Sequence, residues 1–449
     1  MLSSEYINNF LENNLSIDFP EIFISKNLQI SEQILLGPGF LTQDLDKNFS
    51  LKIFSSSDDS KKIINNETKI GDFIPEEEYL KITCKDLTGN SWIAIVDDVS
   101  IKSCKKNIIT CKFKNIIFED QYNERKDHIN ETKIFYFKNK IKIPCDIRTE
   151  TKKIIENIEH TSSVRYNIKK ISINNLNFIF EKSSDDYLII TVTSIDNLFS
   201  PAIELRISEA LQFSLGKNIR WEVYQVIKAD IEQIKFYPQE LTKTEISPIN
   251  QDCYPNDFWN LFEKYFKYIL KDNNQVIHPL TIFSSRIYRF LETTIEVQLL
   301  VITTSLEGLI KNFFDNINIS DTNGEKKQEK DNIKRTIELI KTSTINEEFQ
   351  TRVINCLNNF SSKRPVDVLH ELKNEKFITE DMIDAWKKSR HKLAHGDFIQ
   401  EDYTTYSNYY FKLLTLSNIL VFRVIGYAGS YRNFSKNGWP NEKFDFLRD

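Results

Sequence analysis

Short runs of β-branched and aromatic residues, separated by clusters of Asn, Asp, Lys and Gly, recur through residues 1–245. Such runs read as strands, and they predict strands at Leu51–Phe54, Tyr79–Cys84, Trp92–Val96, Ile108–Phe113, Lys133–Phe137, Leu176–Phe180, Tyr187–Val192 and Trp221–Ile227. One helix interrupts the pattern, with Ser200 as N-cap, Pro201 at the first helical position and Gly216 just past the end. Ile203, Ile207, Ala210, Leu211 and Leu215 give it one apolar face, which is expected to lie across a sheet.

Residues 240–255 are polar and hold two prolines, so a domain boundary is placed there. From Asn256 the period turns helical. Phe258, Trp259, Phe262, Tyr265, Phe266 and Ile269 mark a first helix, and further helices are expected at 281–316, 329–343, 346–360, 365–375, 380–395 and 403–427. The fold class expected is therefore α+β and multidomain. A β-rich domain with one packed helix (1–245) precedes an all-α bundle (256–449).

Composition changes this picture little. With 449 residues, 40% hydrophobic and 27% charged, the chain can bury a sizeable core. A net charge of −5 excludes a broad basic surface for nucleic acid, so any RNA contact must be local. The six cysteines form no C-x-x-C pair and read as buried thiols of a cytoplasmic protein. The amino terminus lacks the features of a secretory signal. Val297–Ile302 and Leu413–Ala428 are too short for a membrane span or are broken by Arg423, so no membrane contact is expected. Gly37-Pro38-Gly39 is neither a P-loop nor a dinucleotide fingerprint, and no cofactor is expected.

The candidate chemistry lies in Ser389-Arg390-His391-Lys392-Leu393-Ala394-His395-Gly396. Thr379 as N-cap and the acidic Glu380 and Asp381 open a helix, Met382, Trp386 and Leu393 form its buried stripe, and Gly396 ends it. Arg390, His391 and His395 then gather at its C-terminus, where the unpaired carbonyls favour a protonated histidine. A fork of guanidinium donors for phosphate, beside a histidine that shuttles protons near neutral pH, suits metal-free cleavage of RNA.

An Arg, a polar residue, three further residues and a His at a helix end within a C-terminal bundle resembles the HEPN ribonucleases. The fuller run from Arg390 to Gly396, behind a strand-rich region, is similar to the Apea-like HEPN proteins of bacterial abortive infection. The resemblance implies that two such domains pair as a homodimer, each motif contributing to one cleft. It implies that Arg390 holds the scissile phosphate, that His395 is acid or base, and that His391 occupies the polar second position. The products implied are a 2′,3′-cyclic phosphate and a 5′-hydroxyl from single-stranded or loop RNA, transfer RNA included. Family members often carry an acidic residue on an early helix facing the motif. Glu307, the only charged residue between Leu299 and Ile310, takes that place here or faces solvent. The region 1–245 is then expected to sense a phage-derived trigger.

Other readings stand beside this one. His391 and His395 have the spacing of helical zinc ligands, but Lys392 stands where H-E-x-x-H has its glutamate and no third ligand is near. Alternatively the bundle is a catalytically inactive dimerisation or sensor module. Tyr406, Tyr409, Tyr410 and Phe411 fit helix packing as well as base stacking, and Arg286 and Arg289 fit surface ion pairs as well as phosphate contacts.

Overall fold

The computed structural model describes residues 2–26, 34–44, 48–55, 80–96, 102–104, 108–121, 131–138, 141–155, 158–183, 187–196, 198–228, 231–239, 243–314, 325–361, 364–394 and 402–445. A helix the sequence pattern did not announce, α1 (Leu2–Leu11), opens the chain. Strands β1 (Ser16–Lys26), β2 (Ile34–Gln43), β3 (Phe49–Phe54), β4 (Leu80–Lys85), β5 (Ser91–Val96), β6 (Lys102–Cys104), β7 (Ile108–Phe113) and β8 (Ile116–Gln121) follow. Then come β9 (Thr132–Lys138), β10 (Ile147–Ile155), β11 (Ile158–Ile173), β12 (Leu176–Lys182) and β13 (Tyr187–Ser194). After α2 (Ile203–Leu215) the chain adds β14 (Val223–Ile227) and β15 (Ile231–Phe236).

Among the described residues these strands form one antiparallel sheet in the order β10-β11-β12-β13-β9-β14-β15-β8-β5-β4-β1-β2-β3-β7-β6. Strict alternation drives it. In β13 every second side chain is buried, and Phe180 and Phe137 lie opposite Ile190 and Leu188 on either side of it.

Part of the sheet closes on α1. The Phe10 ring lies 5.8 Å from that of Phe49 on β3 and 5.0 Å from that of Phe236 on β15. Those strands are six places apart in the order, which in a flat sheet at about 4.8 Å per strand would hold them roughly 29 Å apart. The strands therefore curl round the helix, and Ile7, Phe10 and Leu11 fill the curl at i, i+3 and i+4. The Leu11 carbonyl at the helix end accepts from Tyr187 Oη (2.9 Å) and Lys138 Nζ (3.2 Å). Asp86 is pinned beside the helix by Trp92 Nε1 (3.0 Å), Tyr6 Oη (3.2 Å) and the backbone N–H groups of Thr88 (2.9 Å) and Asn90 (3.0 Å). Burial alone would raise its carboxyl pKa, but the donors from Thr88, Trp92 and Asn90 outweigh it and hold the pKa below the ordinary value.

The thiols of Cys84 and Cys111 lie in this core, and burial pushes Cys111 up to about 12. Cys253 and Cys356 are exposed, against the expectation of uniformly buried cysteines.

The second compact unit comprises residues 200–218 and 242–449. It holds α2, α3 (Pro255–Ile269), α4 (Pro279–Arg289), α5 (Ile295–Phe313), α6 (Glu325–Lys341), α7 (Glu347–Ser361), α8 (Pro365–Asn374), α9 (Glu380–Ala394) and α10 (Tyr403–Ile425). It ends in a hairpin of β16 (Gly429–Arg432) and β17 (Asn441–Phe444). The C-terminal half is thus mixed rather than all helical. No helix among the described residues is long and apolar enough to cross a membrane.

Helix α2 departs from expectation in its start and its surroundings. It begins after Ala202, because Ser200 Oγ accepts from the Ala202 N–H (3.2 Å) in a preceding turn. It ends as expected at Gly216, whose φ of 59° is left-handed and whose added Cβ would lie 2.2 Å from the Ile246 carbonyl oxygen. It belongs to the second unit, with Phe213 stacked on Tyr265 of α3 at 4.6 Å. It is buried nearly all round, Arg206 included.

Arg206 explains that placement. Its guanidinium donates to Glu209 Oε1 (2.8 Å) and to the carbonyls of Asp272 (3.1 Å), Asn274 (2.9 Å) and Val276 (3.0 Å), fastening α2 to the α3–α4 connection. Glu209 in turn accepts from the His278 N–H (3.2 Å) and Thr281 Oγ1 (3.0 Å). Desolvation raises the Glu209 pKa despite the neighbouring arginine. The polar stretch expected to be a linker also joins this unit. Ile249 is buried, and Ser247 Oγ donates to the Ser214 carbonyl (2.9 Å).

His278 caps α4 through Nδ1, which accepts from the Leu280 N–H at 3.1 Å and so requires a neutral ring. Burial, and then the nearby Arg206, lower its pKa from 6.5 to about 4. The unfolded chain therefore binds this proton first. Above pH 6.5 the group has little effect, and as pH falls from 6.5 towards 4 it removes stability. Urea unfolding at neutral pH and at about pH 4.5 should show a larger loss in wild type than in His278→Asn, whose amide oxygen can still cap; equal losses would acquit His278.

Candidate functional site

Helix α9 forms much as its sequence directs. Glu380 and Asp381 occupy the first turn, where they complement the helix dipole, and Lys373 and Lys412 pair with them at 2.7 and 3.0 Å. Met382, Ala385, Trp386 and Ser389 are buried at helical spacing. Arg390, one residue further and about 100° round, comes out on the rim with its side chain 50% exposed.

Helix α5 supplies the opposing wall. The continuous helix expected over 281–316 is two, α4 and α5, separated where Thr293 Oγ1 donates to the Phe290 carbonyl (2.7 Å) and Gln298 Nε2 to the Leu291 carbonyl (2.9 Å). Gly308 brings them together, for a Cβ there would meet Phe283 Cε1 at 2.2 Å. Glu307, beside it, is only 21% exposed.

These two walls meet in one ion pair. Arg390 Nε donates to Glu307 Oε2 at 2.9 Å and Nη2 to Oε1 at 3.3 Å, a two-pronged contact between residues 83 apart in sequence. Lys311, one turn on, lies 2.8 Å from Glu307 Oε1. The Trp386 ring lies 5.5 Å from the guanidinium carbon, near enough for a cation–π contact. Burial acts to raise the Glu307 pKa, but the hydrogen bonds from Lys311 and Arg390 hold it below the ordinary value. Glu307 is thus an anion near neutral pH. It fixes one edge of the Arg390 guanidinium and leaves the remaining Nη donors on the outer edge for an anionic group.

Of the other sequence candidates, His391 lies in α9 with its side chain outside the described residues, and His395 and Gly396 are themselves outside them. Leu393, expected in the buried stripe, is likewise without a described side chain. Arg286 and Arg289 are exposed, Arg286 over the Phe283 ring at 5.8 Å. Tyr406 and Tyr410 are buried, Tyr409 half-buried.

Two contributors escaped the sequence reading although a signal existed. Lys311 follows Glu307 by four residues and Arg390 follows Trp386 by four, the spacing at which helical side chains meet. The inner wall is also polar. Ser305 Oγ, Trp386 Nε1, Ser389 Oγ and Tyr410 Oη, on α5, α9 and α10, are buried without a hydrogen-bond partner among the described residues. Such groups are few in native interiors. Comparison of the chain with family models, with curated proteins and with solved structures returned no match, so the chemistry of this site rests on its own residues.

Proposed function

We propose that the chain is a metal-independent endoribonuclease of the HEPN type that acts in anti-phage defence by abortive infection, cutting single-stranded or loop RNA, transfer RNA included. The observation that carries this reading is the Glu307–Arg390 pair, which holds a half-exposed guanidinium at a fixed angle on the helix that runs into the His395 segment. Arg390 would bind the scissile phosphate and stabilise charge on the pentacoordinate transition state. His395 would take the proton from the 2′-hydroxyl or give one to the departing 5′-oxygen, with the counterpart motif of a second copy completing the cleft. The attacking 2′-oxygen forms its bond to phosphorus as the bond to the 5′-oxygen breaks, leaving a 2′,3′-cyclic phosphate and a 5′-hydroxyl. Glu307 acts as a positioning residue. The sheet-containing region would restrain this activity in the cytoplasm until a phage-derived signal arrives.

One observation favours a different reading, a catalytically inactive dimerisation or sensor module: ion pairing by Glu307 is also an ordinary way to hold a helix arginine. Induced expression of wild type and His395→Ala, with the new RNA ends typed and the assay repeated on purified protein in EDTA, separates the two. Metal-independent, His395-dependent ends bearing cyclic phosphate are expected. Intact RNA during phage challenge would favour the module, and cuts lost only in EDTA would favour a metal site.

A further inference from the structure

The loop between β16 and β17 holds a tryptophan in an unusual backbone state. Trp439 has φ of 49°, in the left-handed region, and directly precedes Pro440. A bulky aromatic residue rarely adopts that region, and a following proline restricts the residue towards extended backbone. The turn is over-determined by its bonds. Trp439 N–H donates to the Lys436 carbonyl (3.1 Å), Asn433 N–H to the Pro440 carbonyl (2.8 Å), and the buried Asn433 reaches Glu442 Oε2 through Nδ2 (2.9 Å). Residues forced into sparse regions by their surroundings cluster at binding sites.

That conformation presents the indole at the surface, 42% exposed, against a firm base. Phe411 and Phe434 lie 5.2 and 5.4 Å from it, centroid to centroid, and Arg432 sits over Phe434 at 5.9 Å. The same loop walls a cavity of about 230 Å³ that Lys376, Lys436 and Lys443 also line. Three acids line that cavity, Asp381 paired with Lys412 (3.0 Å), Glu442 paired with Lys436 (2.5 Å), and Asp445. Lys376 and Lys443 carry no ion pair among the described residues. An exposed, rigid aromatic face in the end loop of a hairpin whose base carries Lys443, with Lys376 lining the same cavity as Lys443, matches what a short unpaired strand offers, a flat base and phosphates further along.

We infer that the 433–440 loop is a stacking site for a base of single-stranded RNA, with Trp439 as the platform and Lys376 and Lys443, towards the base of the hairpin, as contacts for phosphates of neighbouring nucleotides. The choice of RNA rests on the ribonuclease reading above; the platform and its charge do not.

Binding of a fluorescent 2′-O-methyl oligouridine, which cannot undergo 2′-hydroxyl attack, tests it on the full chain. Trp439→Asn, which tolerates the left-handed backbone but has no ring, should weaken binding about tenfold or more, while Trp439→Phe should stay within about threefold. Thermal unfolding of both should track wild type within a few degrees. Affinity unchanged in Trp439→Asn would overturn the proposal. A photo-crosslink from 5-bromouridine RNA to wild type gives a reading that needs no variant to fold. Adducts on the peptide holding Trp439 support the site, and adducts confined elsewhere reject it. Trp439-dependent binding of this oligomer together with no cleavage of an unmodified oligoribonucleotide would keep this site and defeat the ribonuclease reading; cleavage of the unmodified strand with Trp439-independent binding would do the reverse.

Discussion

Arg390→Ala should lower RNA cleavage by at least about 10²–10³-fold, the scale on which enzymes lose rate when one donor to a developing charge is removed. Stability should hardly move, because the side chain is half exposed and exposed ion pairs contribute no more than about 1 kcal/mol. Arg390→Lys retains the charge without the fork, so it should fall between. Glu307→Gln should lower the single-turnover rate less than Arg390→Ala does, as befits a group that orients the arginine. Cleavage of a labelled oligoribonucleotide, measured with thermal unfolding of the same samples, checks all three. Wild-type rates in folded Arg390→Ala would sink the assignment.

Arg206→Ala should destabilise the second unit by about 3–5 kcal/mol, since it strands a buried carboxylate and three backbone carbonyls together. Replacing a buried pair with apolar residues is often harmless. Here it should not be, because Arg206→Met with Glu209→Leu still leaves those carbonyls and the His278 N–H without partners. Denaturant midpoints of the single and double variants decide this. A double variant as stable as wild type would show that Arg206 is only a counter-ion.

The contrast between these two arginines shows what could be read in the sequence. Arg390 stands in a helix whose acidic start and apolar stripe announce it, and the structure places that helix over Glu380–Ala394. Strand Ile108–Phe113 was equally legible, because alternation of buried and exposed positions is local. Arg206 was not. On a helical projection it falls at the edge of the apolar face of α2, and only the carbonyls of residues 272–276, far along the chain, make that edge a place for a buried guanidinium. The break between α4 and α5 has no proline or glycine to announce it and arises from side-chain bonds to the backbone. Helix α1 is hard to read from sequence because it is only ten residues long and half of them, Ser3, Ser4, Glu5, Asn8 and Asn9, are polar. Glu307 and Arg390 could be paired from sequence only through the family resemblance, since nothing local links positions 83 apart.

The chain passes between its two compact units after residues 199, 218 and 241, and this fixes an order of synthesis. Hairpin β14–β15 stands mid-sheet, joining β9 on one side to β8 on the other. A nascent chain that has emerged only as far as residue 199 therefore holds two separate sheet fragments. Helix α2 leaves the ribosome before the hairpin that unites those fragments, and it must then wait for α3 and the carbonyls beyond it before Arg206 can be satisfied. Non-local pairings of this kind form late. The helix that carries Arg390 thus leaves the ribosome only after every strand of the large sheet has been made.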